Sequence, residues 1–536
     1  MIRRTVYYEP LTPLSFLNRS AFVYRDKTAV VYKDKRYTYG EFSGRINRLA
    51  NALKKAGIEK GDKVAFLCPN TPPMLEAHYG VPMLGAVLVS INIRLSPREI
   101  AYILNHSDSK ALFVDNEFAH LITPIKDEIP NVKLLVNICD VNDSRPLDGP
   151  EYEEFLATGS ADPLPNVIED EMENITLNYT SGTTGLPKGV MYHHRGAYLN
   201  AIGEVLEFKM NSDSVYLWTL PMFHCNGWCF TWGVTAVGAT HVCLRKVVPE
   251  DIYRLIEEEG VTHLCAAPTV LVSMANYPGA RDCRMKAKLN IMTAGAPPAP
   301  AVIKNMEEIG AEVTQTYGLT EVYGPHTICE WQRKWDELDD DERAKIKARQ
   351  GVAYITSEFV RVVDPVTMED VPADGQTIGE IVMRGNNVML GYYKQPEDTD
   401  RAFRGGWFHS GDLAVMHPNG YIEIKDRMKD IIISGGENIS TVEVENCIYE
   451  HPDVLEVAVI GIPDPKWGEV PKAFVVPRPG SSLTAEDIIQ FCRERIARFK
   501  VPKAIEFGEL PKTSTGKIMK YRLREKEWEG YEKRVN

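Results

Sequence analysis

The sequence predicts an α/β protein. A large N-terminal domain with mixed and parallel sheets flanked by helices, plus a β-rich subdomain, precedes a small α+β C-terminal domain. Three observations carry this. Short apolar runs alternate with amphipathic helical stretches over residues 28–160 and again over 251–320, the pattern of βαβ units. Residues 351–425 instead read as strands joined by turn signals. The last ~100 residues return to a helix–strand mix, enough for a separate domain.

The elements follow in order. "TAVVYK" reads as a strand, "YGEFSGRINRLANALKKAG" as an amphipathic helix closed by Gly57, and "KVAFLC" as a strand. "PPMLEAHYGVPMLGA" is helical and "VLVSIN" a strand. From residue 249 the alternation resumes with helix "PEDIYRLIEEEG", strand "THLCAA", helix "PTVLVSMANY", strand "LNIMTAG", helix "APAVIKNMEEIG" and strand "EVTQTYG". "EFVRVVD", "GEIVMRG" and "YIEIKD" are the β-rich strands. Ser440 and Glu443 have capping-box spacing at the start of a helix. "VLEVAVIGI" and "KAFVVPR" read as strands, and "TAEDIIQFCRERIARF" as a helix. No internal repeat is visible. The resulting division is 1–426 and 427–536, with subdomains at about 1–160, 161–350 and 351–426 and a boundary at Asp426–Asp430.

At 536 residues, 44% hydrophobic and 25% charged, the chain has ordinary globular composition. Its net charge of −13 argues against a nucleic-acid binder. Local cations and backbone N–H groups can still hold an anionic small ligand. Ten cysteines are scattered. Cys225 and Cys229 are the only close pair, without a second pair to complete a zinc site. Dispersed thiols point to a reducing compartment, and we expect a cytoplasmic protein. The N-terminus has no signal-peptide pattern, and the C-terminus has no peroxisomal or prenylation tail. Ser214–Leu244 lacks Asp, Glu, Lys and Arg, long enough to span a bilayer. Pro221, His224, Asn226 and its glycines make a buried internal lining the better reading.

"YTSGTTGLPKGV", residues 179–190, concentrates glycines, hydroxyls and one lysine behind the run "NITLNY". Gly182, Gly185 and Gly189 allow backbone N–H groups to converge on an anion. A polyphosphate is the obvious target. A P-loop is excluded, because Lys188 follows Pro187 and precedes Gly189 and Val190. A flexible polar linker is the plain alternative.

This stretch resembles the signature of the adenylate-forming superfamily: acyl-CoA synthetases, nonribosomal adenylation domains and beetle luciferases. "QTYGLTE" (315–321), "GWFHSGDLA" (406–414), "IKDRMKDIIISGGENIS" (424–440) and "PKTSTGKIMK" (511–520) are similar to further family motifs and occur in the family's order. The resemblance implies a two-step reaction. A carboxylate and ATP give an acyl-adenylate and pyrophosphate, and a thiol then displaces AMP.

The resemblance also implies the site. Catalytic roles fall to Lys517, Glu321 and Thr183. ATP or AMP would be held by Thr180, Ser181, Gly182, Thr183, Thr184, Gly185 and Lys188. Gly295, Ala296 and Pro297, then Gln315, Thr316, Tyr317 and Thr320, would continue the nucleotide site. Asp412, Arg427, Lys429 and Lys517 would complete it, with Asp412 on the ribose. Tyr317 offers a face for adenine. Mg²⁺ would sit at Glu321 and Thr180. His224, Trp228, Gly318, Val322 and Tyr323 would line the acyl pocket. Gly435 and Gly436 would make room for CoA once a mobile C-terminal domain pivots near Lys429. Some relatives carry Lys at the Ile433 position, and this chain does not.

"HCNGW" resembles a branch of short- and medium-chain fatty-acid, benzoate-type and methylthiopropionate CoA ligases. Trp228 reads either as the floor of a short pocket or as a gate to a long-chain tunnel. The expected activity is an AMP-forming acyl-CoA synthetase using a short- or medium-chain acid, ATP and free CoA. A homodimer is allowed. The different-class alternative is a non-catalytic nucleotide or acyl sensor, disfavoured because Lys517, Glu321 and Asp412 are all present.

Overall fold

The computed structural model describes residues 9–180, 187–295, 300–435, 437–513 and 516–529. The helix Tyr39–Lys55 shows how local sequence becomes structure. Thr38 and Glu41 form a reciprocal capping box, and Tyr39, Phe42, Ile46, Leu49, Ala50 and Leu53 are buried along one face. Helical spacing thus puts a polar face to solvent and an apolar one to the sheets.

Three sheets build the large domain. A nine-stranded sheet runs, in spatial order, Val352–Ala353, Gly324–Ile328, Ala311–Leu319, Leu289–Thr293, His263–Ala266, Val215–Leu217, Thr240–Val242, Thr28–Tyr32 and Lys35–Thr38. A seven-stranded sheet runs Gly391–Tyr392, Gly189–His193, Asn174–Tyr179, Val87–Ser90, Lys63–Leu67, Ser109–Asp115 and Leu134–Ile138. Strands from the blocks 1–160 and 161–350 are therefore interleaved. Val30 and Val31 pair in parallel with His241 and Val242, and Leu88 and Val89 with Thr176 and Leu177. Arg245 spans the sequence blocks by pairing with Asp115, Glu117 and Asp140.

Phe359–Val363, Ile378–Arg384, Phe408–Met416 and Ile422–Arg427 form an antiparallel four-stranded sheet. After Arg427 the chain enters a sheet of Glu437–Ile439, Ile432–Ser434, Gly468–Pro477 and Val454–Asp464, with Ala504–Phe507 added in parallel. This sheet and the helices Thr441–Tyr449 and Ala485–Arg493 enclose an apolar core of their own. Ser440 accepts a hydrogen bond from Glu443 N, but the reciprocal half of the expected capping box is replaced. The Glu443 carboxylate pairs with Lys500 at 2.6 Å, a competing cation brought by the tertiary fold.

The uncharged stretch 214–244 folds as short strands, one turn and the helix Phe230–Ala236. No helix among the described residues is long and apolar enough to cross a membrane. All ten cysteines are free thiols.

Candidate active site

A cleft of about 1680 Å³ is bordered by both parts of the chain. Thr180, Lys188, His224, Trp228, Gly295, Gly318, Thr320, Glu321, Asp412, Arg427, Lys429 and Lys517 all line it. Thr180 and Lys517, 337 positions apart in sequence, thus meet on one cleft.

The polyphosphate-loop candidate sits at the tip of an antiparallel strand pair, Asn174–Tyr179 with Gly189–His193. Thr180 N donates to Lys188 O at 3.0 Å, and Lys188 N to Thr180 Oγ1 at 3.3 Å, closing its base. Ser181, Gly182, Thr183, Thr184 and Gly185 lie outside the described residues. Lys188 pairs with Asp398 at 3.0 Å and lies over the Tyr392 ring. The Tyr392 hydroxyl in turn donates to Glu321 Oε1 at 2.8 Å. Burial holds the Glu321 carboxyl above its ordinary range, against that phenol's hydrogen bond.

Asp412 and Arg427 are directly opposed on neighbouring strands, with Arg427 Nε 3.4 Å from Asp412 Oδ1. The Tyr317 hydroxyl donates to Asp412 Oδ2 at 2.8 Å. Gln315, Thr316 and Tyr317 are buried and do not border the cleft. Gln315 Nε2 bonds Thr316 O, and Thr316 Oγ1 bonds Thr293 O, so these side chains secure the strand. Gly295, at φ 90°, does border the cleft, while Ala296 and Pro297 lie outside the described residues.

Lys517 reaches the cleft on a hairpin bridged at Lys512 and Ile518. Thr513 N donates to Lys517 O at 2.7 Å, and Lys517 N to Thr513 Oγ1 at 3.0 Å. Gly516 packs so close to helix Pro268–Ala275 that a Cβ there would lie 2.2 Å from Thr269 Oγ1. Arg94 Nη1 donates to Thr513 O at 3.3 Å. Burial, then the Arg427 charge, pushes the Lys517 ammonium down to about 7. Burial, then the Lys517 charge, pushes His224 down to about 4, so its imidazole is neutral near pH 7. Lys429 is lowered to about 8 by burial and then by Arg427.

Just after His224, residues Cys225, Asn226, Gly227, Trp228 and Cys229 all have positive φ, between 43° and 63°. Each non-glycine residue in that conformation costs about 1–2 kcal/mol. Such strain at a cleft wall persists only where the surroundings over-determine it. Trp228 packs on Gly324, where a Cβ would lie 2.8 Å from Trp228 Cδ1. At Gly318 a Cβ would lie 1.7 Å from Gly324 O, so only glycine fits.

Val322 and Tyr323, expected in the acyl pocket, are instead fully buried away from the cleft. Tyr323 stacks on Tyr192 at 3.9 Å, and its hydroxyl accepts from His193 N at 2.6 Å. The left-handed φ of 69° at Tyr323, just past the short turn Thr320–Val322, accompanies this packing into the core. Gly435 lies outside the cleft, with its N–H on Trp467 O, and Gly436 is not among the described residues. Sequence reasoning missed Tyr392, Asp398, Arg94 and Thr269. Each is recruited by tertiary contact from outside the motifs, so local pattern carried no signal for it.

Comparison with known proteins now adds to this geometry. The sequence model of the AMP-binding enzyme family matches residues 17–393, and that of the AMP-binding enzyme C-terminal domain matches 443–517. A 4-hydroxybutyrate–CoA ligase of Metallosphaera sedula is 52% identical over 97% of this chain and 95% of its own. A peroxisomal acetate/butyrate–CoA ligase of Arabidopsis thaliana is 47% identical over the same shares. The crystal structure of an anthranilate CoA ligase with anthranoyl-AMP superposes with a TM-score of 0.86 at 26% identity, covering 98% of both chains. The chain therefore belongs to the AMP-binding enzyme family, within the adenylate-forming superfamily, and is an AMP-forming acid–thiol ligase.

Proposed function

We propose that this acyl-CoA ligase activates a short-chain aliphatic acid, and that the cleft residues divide its two steps as follows. The observation that carries this reading is the convergence of Lys517, His224, Asp412 and Arg427 on one cleft that Trp228 also lines. In step one a carboxylate oxygen bonds to the α-phosphorus, the bond to the β-phosphate's bridging oxygen breaks, and pyrophosphate leaves. Little proton transfer is needed, so positioning and charge neutralisation dominate. Lys517 would bridge the α-phosphate and the carboxylate. Neutral His224 would orient the acid. Asp412, held by Tyr317 and Arg427, would accept from the ribose hydroxyls. Lys188 would exchange Asp398 for the departing phosphates.

Glu321 and Thr180 are the candidate holders of Mg²⁺. A half-buried carboxylate on the cleft lining, bonded by the Tyr392 phenol, fits a cation that keeps waters and takes phosphate oxygens. When bound, the ion neutralises phosphate charge. Among the described residues no cluster of three His, Cys, Asp or Glu could replace that arrangement.

In step two the thiol sulfur of CoA bonds to the acyl carbonyl carbon, the bond to the AMP oxygen breaks, and the thiol proton is lost. Here Gly435 stands away from the cleft while Lys517 is in it. We read this as the adenylation arrangement, with a pivot near Lys429 exchanging the two. Trp228, clamped on Gly324 by a strained turn, favours a fixed floor over a swinging gate. The names of the two ligases above, for 4-hydroxybutyrate and for acetate or butyrate, support acids of that size. Free thiols support a reducing, cytoplasmic setting.

The test is carboxylate-dependent pyrophosphate release with ATP and Mg²⁺, then AMP and acyl-CoA on adding CoA. The panel spans straight-chain, hydroxylated, aryl and sulfur-containing acids. The highest kcat/KM is expected at about two to six carbons, with neighbouring homologues separated weakly. Preference for long chains overturns the floor reading. ATP binding without turnover on any acid would restore the sensor alternative.

A further inference from the structure

The left-handed turn Cys225–Cys229 needs an outside restraint, and the structure supplies it through one side chain. The turn is closed by Gly227 N to His224 O at 2.8 Å and Cys229 N to Asn226 O at 3.2 Å. Gly227 alone suits positive φ, and a Cβ there would lie 2.5 Å from the Trp218 ring. Asn226 is the residue held most tightly. Its Oδ1 accepts from Thr176 Oγ1 and from Asn178 Nδ2, each at 2.6 Å. Its Nδ2 donates to His78 Nε2 at 3.0 Å, and its N–H donates to Asn178 Oδ1 at 3.2 Å. His78 Nδ1 is occupied by Met74 O at 2.7 Å, which leaves Nε2 as the acceptor. Thr176, Asn178, His78 and Asn226 are all buried.

These bonds fix the hand of the turn, and the hand decides where Trp228 points. A right-handed turn through the same residues would send residue 228 elsewhere. Asn226 itself is spent entirely on protein partners. It also ties the turn to strand Asn174–Tyr179, which leads into the polyphosphate-loop candidate.

We propose that Asn226 is a positioning residue for acid selection: through the left-handed turn it holds Trp228 against Gly324, and so sets the length of acid the pocket accepts. The inference rests on the reading of His224–Trp228 as the acyl end of the cleft.

A double-mutant cycle tests it. The readout is the ratio of kcat/KM for butyrate to that for octanoate, with KM for ATP and CoA-dependent conversion of supplied butyryl-adenylate as controls. Asn226→Ala is expected to shift the ratio by about tenfold or more toward octanoate, with both controls within about twofold of wild type. In a Trp228→Ala background the same change should leave the ratio where Trp228→Ala alone puts it. If Trp228→Ala shifts the ratio and Asn226→Ala does not, or shifts it equally in both backgrounds, the positioning role is overturned. If Trp228→Ala leaves the ratio unchanged, the acyl-end reading fails instead. Should Asn226→Ala not fold, Asn178→Ala removes one donor and one acceptor from the same carboxamide and backbone. A folded Asn178→Ala enzyme with the wild-type ratio overturns the proposal equally.

Discussion

Tyr317 donates its hydroxyl to Asp412 Oδ2 at 2.8 Å, while Arg427 Nε lies 3.4 Å from the other oxygen of the same carboxylate. The motif around Tyr317 draws attention to its ring as an adenine platform. In the fold its hydroxyl has a defined task, aiming a buried carboxylate. Tyr317→Phe keeps the ring and removes only that bond. A hydrogen bond to a charged group is worth about 1.5–3 kcal/mol, so KM for ATP should rise about tenfold or more. KM for the acid should stay within about twofold. Initial-rate kinetics in both substrates check this; an unchanged KM for ATP would mean Asp412 needs no such aiming.

Lys517 predicts an unusual pH dependence. With its ammonium lowered to about 7, the charged fraction falls as pH rises through neutrality. Adenylation kcat/KM for ATP should therefore decline above about pH 7. Bound triphosphate favours the charged form, so the decline in kcat should lie at higher pH. Lys517→Arg keeps its charge throughout and should abolish the basic limb at a lower overall rate. Stability has its own sign. Between about 7 and the ordinary lysine value near 10.4 the unfolded chain binds this proton and the folded chain does not, so folding gains as pH rises. Lys517→Met should raise Tm most below pH 7, and the gain should shrink toward pH 10. A gain independent of pH would place the ammonium in water.

Much of this arrangement was legible beforehand, and the exceptions share a cause. The run of apolar residues in "TAVVY" marks a strand, but nothing local says that it joins Thr240–Val242. Sheet partners depend on which edge remains free once every other element has packed, so the blocks 1–160 and 161–350 interleave unseen. Lys517, Asp412 and Glu321 line one cleft, and the sequence singles them out because their motifs are long and specific. Val322 and Tyr323 were misplaced because adjacency to Glu321 says nothing about which side of a turn faces the cleft. Tyr392 and Asn226 went unassigned because a phenol or carboxamide has no pattern of its own until its partners are in place.

Burial of His241 predicts acid sensitivity that one variant isolates. Its imidazole is pushed down to about 3 by burial, with Trp218 Nε1 donating to Nδ1 at 3.1 Å. The unfolded chain takes up a proton near pH 6.5 that the folded chain refuses. The contribution of neutral His241 is therefore present above that value and lost as pH falls toward 3. Between pH 7 and pH 5 this amounts to about 2 kcal/mol. In His241→Gln the difference in unfolding free energy from wild type should shrink by that amount over the same interval. Urea titrations at the two pH values measure it; a constant difference would show that His241 protonates freely in the folded state.

The separation of the two half-reactions is the most searching prediction. In this arrangement Lys517 is in the cleft, whereas Gly435 is bonded to Trp467 O outside it. On the proposed division of roles, one small domain serves both steps only by moving. Lys517→Ala should reduce acyl-adenylate formation by about a thousandfold, the scale of losing a main electrostatic contact in a water-poor site. It should spare thioester formation from supplied acyl-adenylate to within about fivefold. Lys429→Pro should do the reverse, because a fixed φ near −65° restricts the segment that must rotate. Adenylation would then continue from the arrangement already present, while CoA-dependent AMP release slows. Single-turnover assays resolve the two steps. Equal losses in both steps for Lys517→Ala would sink the division of labour, and an unaffected second step in Lys429→Pro would move the pivot elsewhere.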